Sequence, residues 1–150
     1  MSQIEILLTD SSNVDFQKLA FELEKEQCEH NWSMADIDQD LNKTESLASV
    51  LVMYESGLPV ACGAIRQHDT SSVEIKHMYV LPFLRRKNLA SQILTALEFL
   101  AKEMKFKYCF LAAGKNQPGA ISFYLKNGYK QMKNFGKYTS NNNICFRKRI

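Results

Sequence analysis

The sequence predicts a mixed α/β fold in one domain that spans residues 1–150. Strand-like runs alternate with amphipathic helical stretches along the whole chain. Three apolar strands in the middle of the chain form a predicted meander, and a strand, a long helix and another strand then predict a parallel crossover. A chain of 150 residues is long enough to bury a sizeable core.

The elements follow from local signals taken in chain order. Residues 15–29 place their apolar side chains on one helical face, Ser33 is suited to cap a second helix, and Ser56-Gly57 is a turn between two strands. Pro118 suits the first turn of the last helix, and Asn127-Gly128 suits its end. The predicted strands are 4–9, 49–54, 59–66, 72–80, 107–113, 129–132 and 144–148, and the predicted helices are 15–29, 33–41, 88–104 and 118–126.

Composition narrows the class of protein. The chain has no apolar run long enough to span a bilayer, and its first residues lack the basic and apolar regions of a signal peptide. We therefore expect a cytoplasmic protein with no membrane partner. The four cysteines are far apart, so we expect neither a metal site nor a disulfide framework, and Cys62 and Cys109 are predicted core residues.

Charge is divided sharply along the chain. Residues 1–75 carry 14 acidic and 4 basic side chains, whereas residues 76–150 carry 2 acidic and 15 basic ones. A solvated surface is the simplest explanation, but so sharp a division favours a polyanion bound to the C-terminal half. Nucleic acid and phosphorylated cofactors both fit this pattern.

The segment 73–91, VEIKHMYVLPFLRRKNLAS, is the strongest candidate for a site. A predicted strand leads through a proline-bearing turn and three cations, Arg85, Arg86 and Lys87, into the longest predicted helix. Free N–H groups at a helix start bind anions. Glu74, on the preceding strand, is a candidate general base.

Two motifs resemble those of the GNAT superfamily of acetyl-CoA-dependent N-acetyltransferases. In residues 80–90, VLPFLRRKNLA, Arg85, Asn88 and Ala90 occupy the marked positions of the family's Q/R-x-x-G-x-G/A motif. Residues 116–129, NQPGAISFYLKNGY, are similar to the family's N-x-x-A-x-x-x-Y-x-x-x-G-F/Y motif. Asn88 replaces the usual central glycine, but asparagine tolerates positive φ, so we expect the loop to be retained.

This resemblance implies a GNAT-like acyl-CoA N-acyltransferase fold, with a mostly antiparallel sheet flanked by helices and a β-α-β cofactor half. It implies acetyl-CoA as cosubstrate, with no metal. The residues implied to bind it are Met78, Tyr79, Val80, Arg85, Arg86, Lys87, Asn88, Leu89, Ala90, Ser91, Asn116 and Lys126.

The chemistry of acetyl transfer requires a group that takes a proton from the amine and one that protonates the departing thiolate. Tyr124 matches the family's tyrosine that protonates the sulfur, and Glu74 matches a position where many members place a base. His77 is an alternative base, because imidazole titrates near neutral pH. Strand alternation places Glu74 and His77 on opposite faces, unless a bulge interrupts the strand.

The function implied is acetyl transfer from acetyl-CoA to a primary amine of a small molecule, such as an amino acid or polyamine. The acidic first helices are explained most simply as solvated faces, and a cationic acceptor drawn by their carboxylates is the alternative, in a pocket that His30, Trp32 and Tyr138 could line. Acetylation of a protein N-terminus or lysine is the alternative, as is a non-catalytic module that senses coenzyme A. No nucleic-acid partner is expected, because the cations lack an interleaved aromatic stacking platform. A homodimer is left open.

Overall fold

The computed structural model describes residues 3–29, 47–135 and 142–150, and these form one seven-stranded sheet with three helices. The predicted helix 33–41 and the predicted pocket residues His30, Trp32 and Tyr138 lie outside the described residues. The strands are β1 Ile4–Thr9, β2 Ser49–Glu55, β3 Leu58–Gln67, β4 Ser72–Val80, β5 Tyr108–Gly114, β6 Lys130–Met132 and β7 Asn143–Arg149. The helices are α1 Val14–Glu29, α2 Leu89–Glu103 and α3 Pro118–Lys126.

The sheet has the order β1-β2-β3-β4-β5-β7-β6. Neighbouring strands of the sheet are antiparallel, except that β4 and β5 are parallel and are joined through α2. The predicted crossover and the mixed, mostly antiparallel sheet are therefore confirmed. Within the described ranges, the predicted elements agree with the observed ones to within two residues at each end.

Two cores lie on opposite faces of the sheet. Ile93, Leu94 and Leu97 of α2 are completely buried against one face. Phe16 and Leu19 of α1 pack on the other face. The predicted core residues Cys62 and Cys109 are both buried, Cys62 on the α1 face and Cys109 on the α2 face.

The sheet opens between its two parallel strands. In the described chain β4 pairs with β5 only from Ser72 to Glu74, opposite Tyr108 to Phe110. Beyond these pairs the strands separate, and the second half of β4 borders a gap. In the same half of β4 the register with β3 shifts. Cys62 is opposite Tyr79 and Ala64 is opposite Lys76, so one residue of β3, Gly63, faces two residues of β4. This β-bulge strengthens the local twist of the strand.

Candidate active site

A cavity of about 900 Å³ lies where β4 and β5 separate. The second half of β4, the loop that leads into α2 and the first turn of α2 form one side of it. The end of β5 and helix α3 form another side, and α1 contributes a stripe at helical spacing: Ala20, Leu23, Glu24 and Gln27.

One end of this cavity is formed by the loop that leads into α2 and by the first turn of that helix. After β4, a single 3-10 turn at Pro82–Leu84 leads into α2. Arg86 and Asn88 have φ of 66° and 67°, the left-handed conformation, so the prediction that Asn88 would accept positive φ is confirmed. The Asn88 side chain makes no capping hydrogen bond within the described structure. The first N–H groups of a 15-residue helix therefore remain available to a ligand at the cavity wall.

Arg85 is held by the protein itself. Its Nε donates to the Val80 carbonyl oxygen at 2.9 Å, and its Nη2 pairs with Glu26 of α1 at 2.6 Å. The guanidinium also lies over the Tyr79 ring, 5.4 Å from the centroid. Hydrogen bonding to Glu26 raises the pKa of Arg85 above its usual range. Arg85 thus ties the loop to α1, in addition to bordering the cavity.

The bulge in β4 decides which side chains share a face. His77 takes φ of 54°, and its ring packs edge-on against Phe16 of α1 at 5.7 Å between centroids. Met78 instead packs with the core on the α2 face. The bulge that the sequence left open is present, and its extra residue brings Glu74 and His77 to the same side of the sheet, the side of α1.

Glu74 lies in a buried ion cluster behind the cavity wall. Arg66, directly opposite on β3, pairs with it at 2.6 Å, and Lys76 lies 3.4 Å from its second oxygen. The Glu74 and Lys76 side chains are each only 5% exposed. Lys76 lines the cavity, whereas Glu74 does not belong to its lining.

Tyr124 lies on α3 at the cavity wall. Its ring contacts Phe123 and Tyr129 at centroid distances of 5.2 and 5.8 Å. Burial raises the pKa of Tyr124 to about 12. The hydroxyl therefore stays protonated at neutral pH and remains a hydrogen-bond donor.

The turn after α3 is anchored to the core, which fixes Tyr124. Gly128, at φ 91°, allows the chain to reverse. The next residue, Tyr129, donates to Glu98 of α2 at 2.8 Å, and Lys148 of β7 binds the other Glu98 oxygen at 2.9 Å. Tyr129 is 2% exposed, so its ring contacts the Tyr124 ring inside the packed core.

Among the predicted site residues that the structure describes, the cavity brings together all except Glu74 and Lys87. Lys87 is exposed on the loop. The sequence did not identify three further residues that line the cavity: Gln27, Lys76 and Asn143. The helical spacing of α1 could have identified Gln27 as a lining residue, whereas the position of Lys76 at the cavity depends on where β4 and β5 separate.

The described residues contain neither a cluster suited to a metal ion nor a helix suited to cross a membrane. No group of three or more His, Cys, Asp or Glu side chains there could hold a metal ion. In the same part of the chain, no helix is both long and apolar enough to cross a membrane.

Known proteins are similar to this chain in sequence or in fold. The chain is 32% identical over 89 residues to an IAA acetyltransferase of Azospirillum brasilense, a match that covers 59% of this chain and 58% of that protein. Its fold is similar to that of a PaiA N-acetyltransferase from Thermoplasma acidophilum in complex with coenzyme A, with 16% identity, a TM-score of 0.78 and 99% of each chain covered. A GNAT family acetyltransferase from Elizabethkingia anophelis with acetyl-CoA bound matches with 17% identity and a TM-score of 0.75 over 98% of each chain.

The family assignment rests on a longer match. The model of the acetyltransferase (GNAT) family matches residues 17–129, which is well over half of the chain and includes both motifs. The chain belongs to the GNAT family of acetyltransferases.

Proposed function

We propose that the protein transfers the acetyl group of acetyl-CoA to a primary amine of a small molecule, by direct attack within a ternary complex. The observation that carries this proposal is one continuous cavity. It joins the anion-binding start of α2 to Tyr124 through the gap between β4 and β5. Cys62, Cys109 and Cys145 do not line that cavity, so none of these three thiols is placed to carry the acetyl group as a thioester.

The residues present fit the cosubstrate. Coenzyme A carries a pyrophosphate, and the N–H groups of Leu89, Ala90 and Ser91 at the start of α2 suit that anion. The cations Arg86 and Lys126 line the same cavity. A thioester-bearing arm would lie in the gap beside β4, where strand backbone is not paired with β5.

Tyr124 supplies the proton for the departing sulfur in this proposal. A thiolate is the product of thioester cleavage, and a nearby hydroxyl stabilises the charge that develops on it. Because the phenol is protonated over the physiological range, Tyr124 can donate a hydrogen bond at every turnover.

His77 is the better placed of the two candidate bases. It lines the cavity, whereas Glu74 lies outside the lining and is engaged by Arg66 and Lys76. An ion-paired carboxylate is a weaker base, because a nearby cation favours its charged form. Replacement of His77 by Gln should remove the acidic limb from the pH profile of kcat/KM. An unchanged limb would assign proton removal to another group or to water.

The decisive experiment measures release of free CoA with a panel of small amines and with lysine-bearing peptides. We expect turnover with small amines and a loss of about 100-fold in kcat for Tyr124→Phe, the size expected for a general acid. Tyr108→Phe is the matched control, because Tyr108 lies outside the cavity and packs against Arg147 and Arg149. Binding of acetyl-CoA without release by any acceptor would support the sensor alternative. Faster turnover of peptides would support the protein acetyltransferase alternative.

A further inference from the structure

Helix α3 carries Tyr124 but is not itself a core helix. It has nine residues, and none of them is fully buried. At its start, the side chain of Gln117 makes no capping hydrogen bond within the described structure. A helix of this length is marginal in water unless tertiary contacts hold it. The position of Tyr124 therefore depends strongly on what holds the other end of α3.

The C-terminal end of α3 is joined to Tyr129 through backbone and ring contacts. The N–H groups of Asn127 and Tyr129 donate to the Tyr124 carbonyl oxygen at 3.1 and 3.0 Å. The Asn127 side chain closes the same turn, because its Nδ2 donates to the Phe123 carbonyl oxygen at 2.8 Å. The rings of Tyr124 and Tyr129 are also in contact, with 5.8 Å between their centroids. A displacement of Tyr129 would therefore displace Tyr124.

Tyr129 is in turn held by a charged pair from two other elements. One oxygen of Glu98, on α2, accepts the Tyr129 hydroxyl at 2.8 Å, and the other accepts Lys148 Nζ, from β7, at 2.9 Å. Lys148 Nζ also lies 5.6 Å from the centroid of the Tyr129 ring. The Glu98 side chain is only 13% exposed, and a hydrogen bond to an ionised group is about twice as strong as one between neutral groups. These three side chains, the Glu98 network, connect the turn after α3 to α2 and β7.

We infer that Glu98 is a positioning residue for acetyl transfer, which fixes Tyr129 and through it holds the Tyr124 hydroxyl at the cavity. The inference rests on the proposed function and adds a residue that lies outside both motif segments and outside the cavity lining. Lys148 supports Glu98 by pairing with its second oxygen. Because Glu98 touches no reacting atom, its effect on turnover should require the Tyr124 hydroxyl. A residue that only stabilised the fold would not show this dependence.

The test is a double-mutant cycle on kcat, measured as CoA release at saturating acetyl-CoA and amine. Tyr129→Phe removes only the hydroxyl that Glu98 binds, and Glu98→Gln removes the charge of its partner. We expect each to lower kcat, Tyr129→Phe by about 10-fold and Glu98→Gln by less, because a small misplacement of a catalytic group is costly, while KM for acetyl-CoA changes by less than about 2-fold. In the Tyr124→Phe background, neither substitution should lower kcat further. An unchanged kcat in both variants, or losses of equal size in both backgrounds, would overturn the inference.

A matched control separates positioning from stability. Tyr54→Phe also removes a hydrogen bond from a tyrosine hydroxyl to a carboxylate, at 2.7 Å to Asp15 of α1, and neither residue lines the cavity. It should lower the urea midpoint about as much as Tyr129→Phe does and leave kcat unchanged.

Hydrogen exchange tests the Glu98 network without any turnover. Tyr129→Phe and Glu98→Gln should speed amide exchange in α3 relative to α2, because the short helix opens locally when its end is released. If no acceptor releases CoA, the proposed function fails, and faster exchange in α3 would still support the positioning of Tyr124 by Glu98. Exchange in α3 that stays the same in both variants would overturn it.

Discussion

Gly63 controls how closely α2 approaches the sheet at the bulge, and its replacement by Ala should destabilise the protein. Gly63 lies on β3 inside the register shift with β4. A Cβ atom there would lie 2.7 Å from Leu97 Cδ1, 2.8 Å from Ile93 Cγ2 and 2.9 Å from Met78 Sδ. Carbon atoms prefer separations of about 3.5–4.0 Å, so each neighbour has to move by roughly 0.6–1.3 Å.

These neighbours have little space into which to move. Ile93 and Leu97 are fully buried in the core between α2 and the sheet. Insertion of a methyl group into such a core costs about 1–3 kcal/mol. For a domain of this size, each kcal/mol lowers Tm by about 2–4 °C, so the expected fall is roughly 2–12 °C. Because Met78 also borders the cavity, affinity for acetyl-CoA should fall with stability.

Urea unfolding at equilibrium measures this effect. The midpoint should fall in Gly63→Ala while the m-value, which reports the surface exposed on unfolding, stays the same. Gly119→Ala is the matched control: a Cβ at Gly119, in the first turn of α3, would have nothing within 4 Å. Its stability should be unchanged or up to about 1 kcal/mol higher, because Ala favours helix more than Gly. A Gly63→Ala variant as stable as the unmodified protein would refute the close-packing argument.

Three further predictions concern the walls of the cavity. Because the pKa of Tyr124 is raised to about 12, its phenol loses its proton only above neutral and mildly alkaline pH. Tyr124→Phe should therefore lower kcat by a constant factor across that range, and a loss confined to alkaline pH in CoA-release assays would contradict this role. Asn88 already has φ of 67°, so Asn88→Gly should change the affinity for CoA, measured by calorimetry, by less than about 3-fold. Asn88→Ala should lower the free energy of unfolding in urea by about 1–2 kcal/mol, because alanine is strained at positive φ. Glu26→Gln should lower the free energy of unfolding by less than about 1 kcal/mol, and by less still in high salt. The reason is that the paired side chains of Glu26 and Arg85 are 24% and 40% exposed. A larger or salt-independent loss would show a stronger link between α1 and the loop.

The sequence predicted the local structure around the candidate site from signals that act over a few residues. Pro82, three cations and an asparagine that accepts positive φ mark the turn into α2, and each signal acts within a few residues. The position of Tyr124 on a short helix that the Asn127-Gly128 turn ends was predicted in the same way, and its catalytic role stays a prediction. The observed φ of Asn88 and the bounds of α3 confirm these local predictions.

The face of each β4 side chain depends on distant contacts and could not be predicted. His77 shares a face with Glu74 only because β4 carries one residue more than β3 at the bulge. The space for that bulge comes from Gly63, fifteen residues from Met78 in the chain and in contact with α2. The Arg66–Glu74 pair is a direct cross-strand pair, which becomes visible only once the register is known.

This difference explains why motifs identify the cosubstrate more readily than the acceptor. The motif segments 80–90 and 116–129 supply the loop, the start of α2 and helix α3, which line two sides of the cavity. The remaining wall comes from α1 and from the first residues of the β4 bulge, where Glu24 and Lys76 contribute opposite charges. A change at these two positions would alter the charge of this part of the lining and leave the loop and α3 untouched. The acceptor class must therefore be inferred from residues outside the motifs.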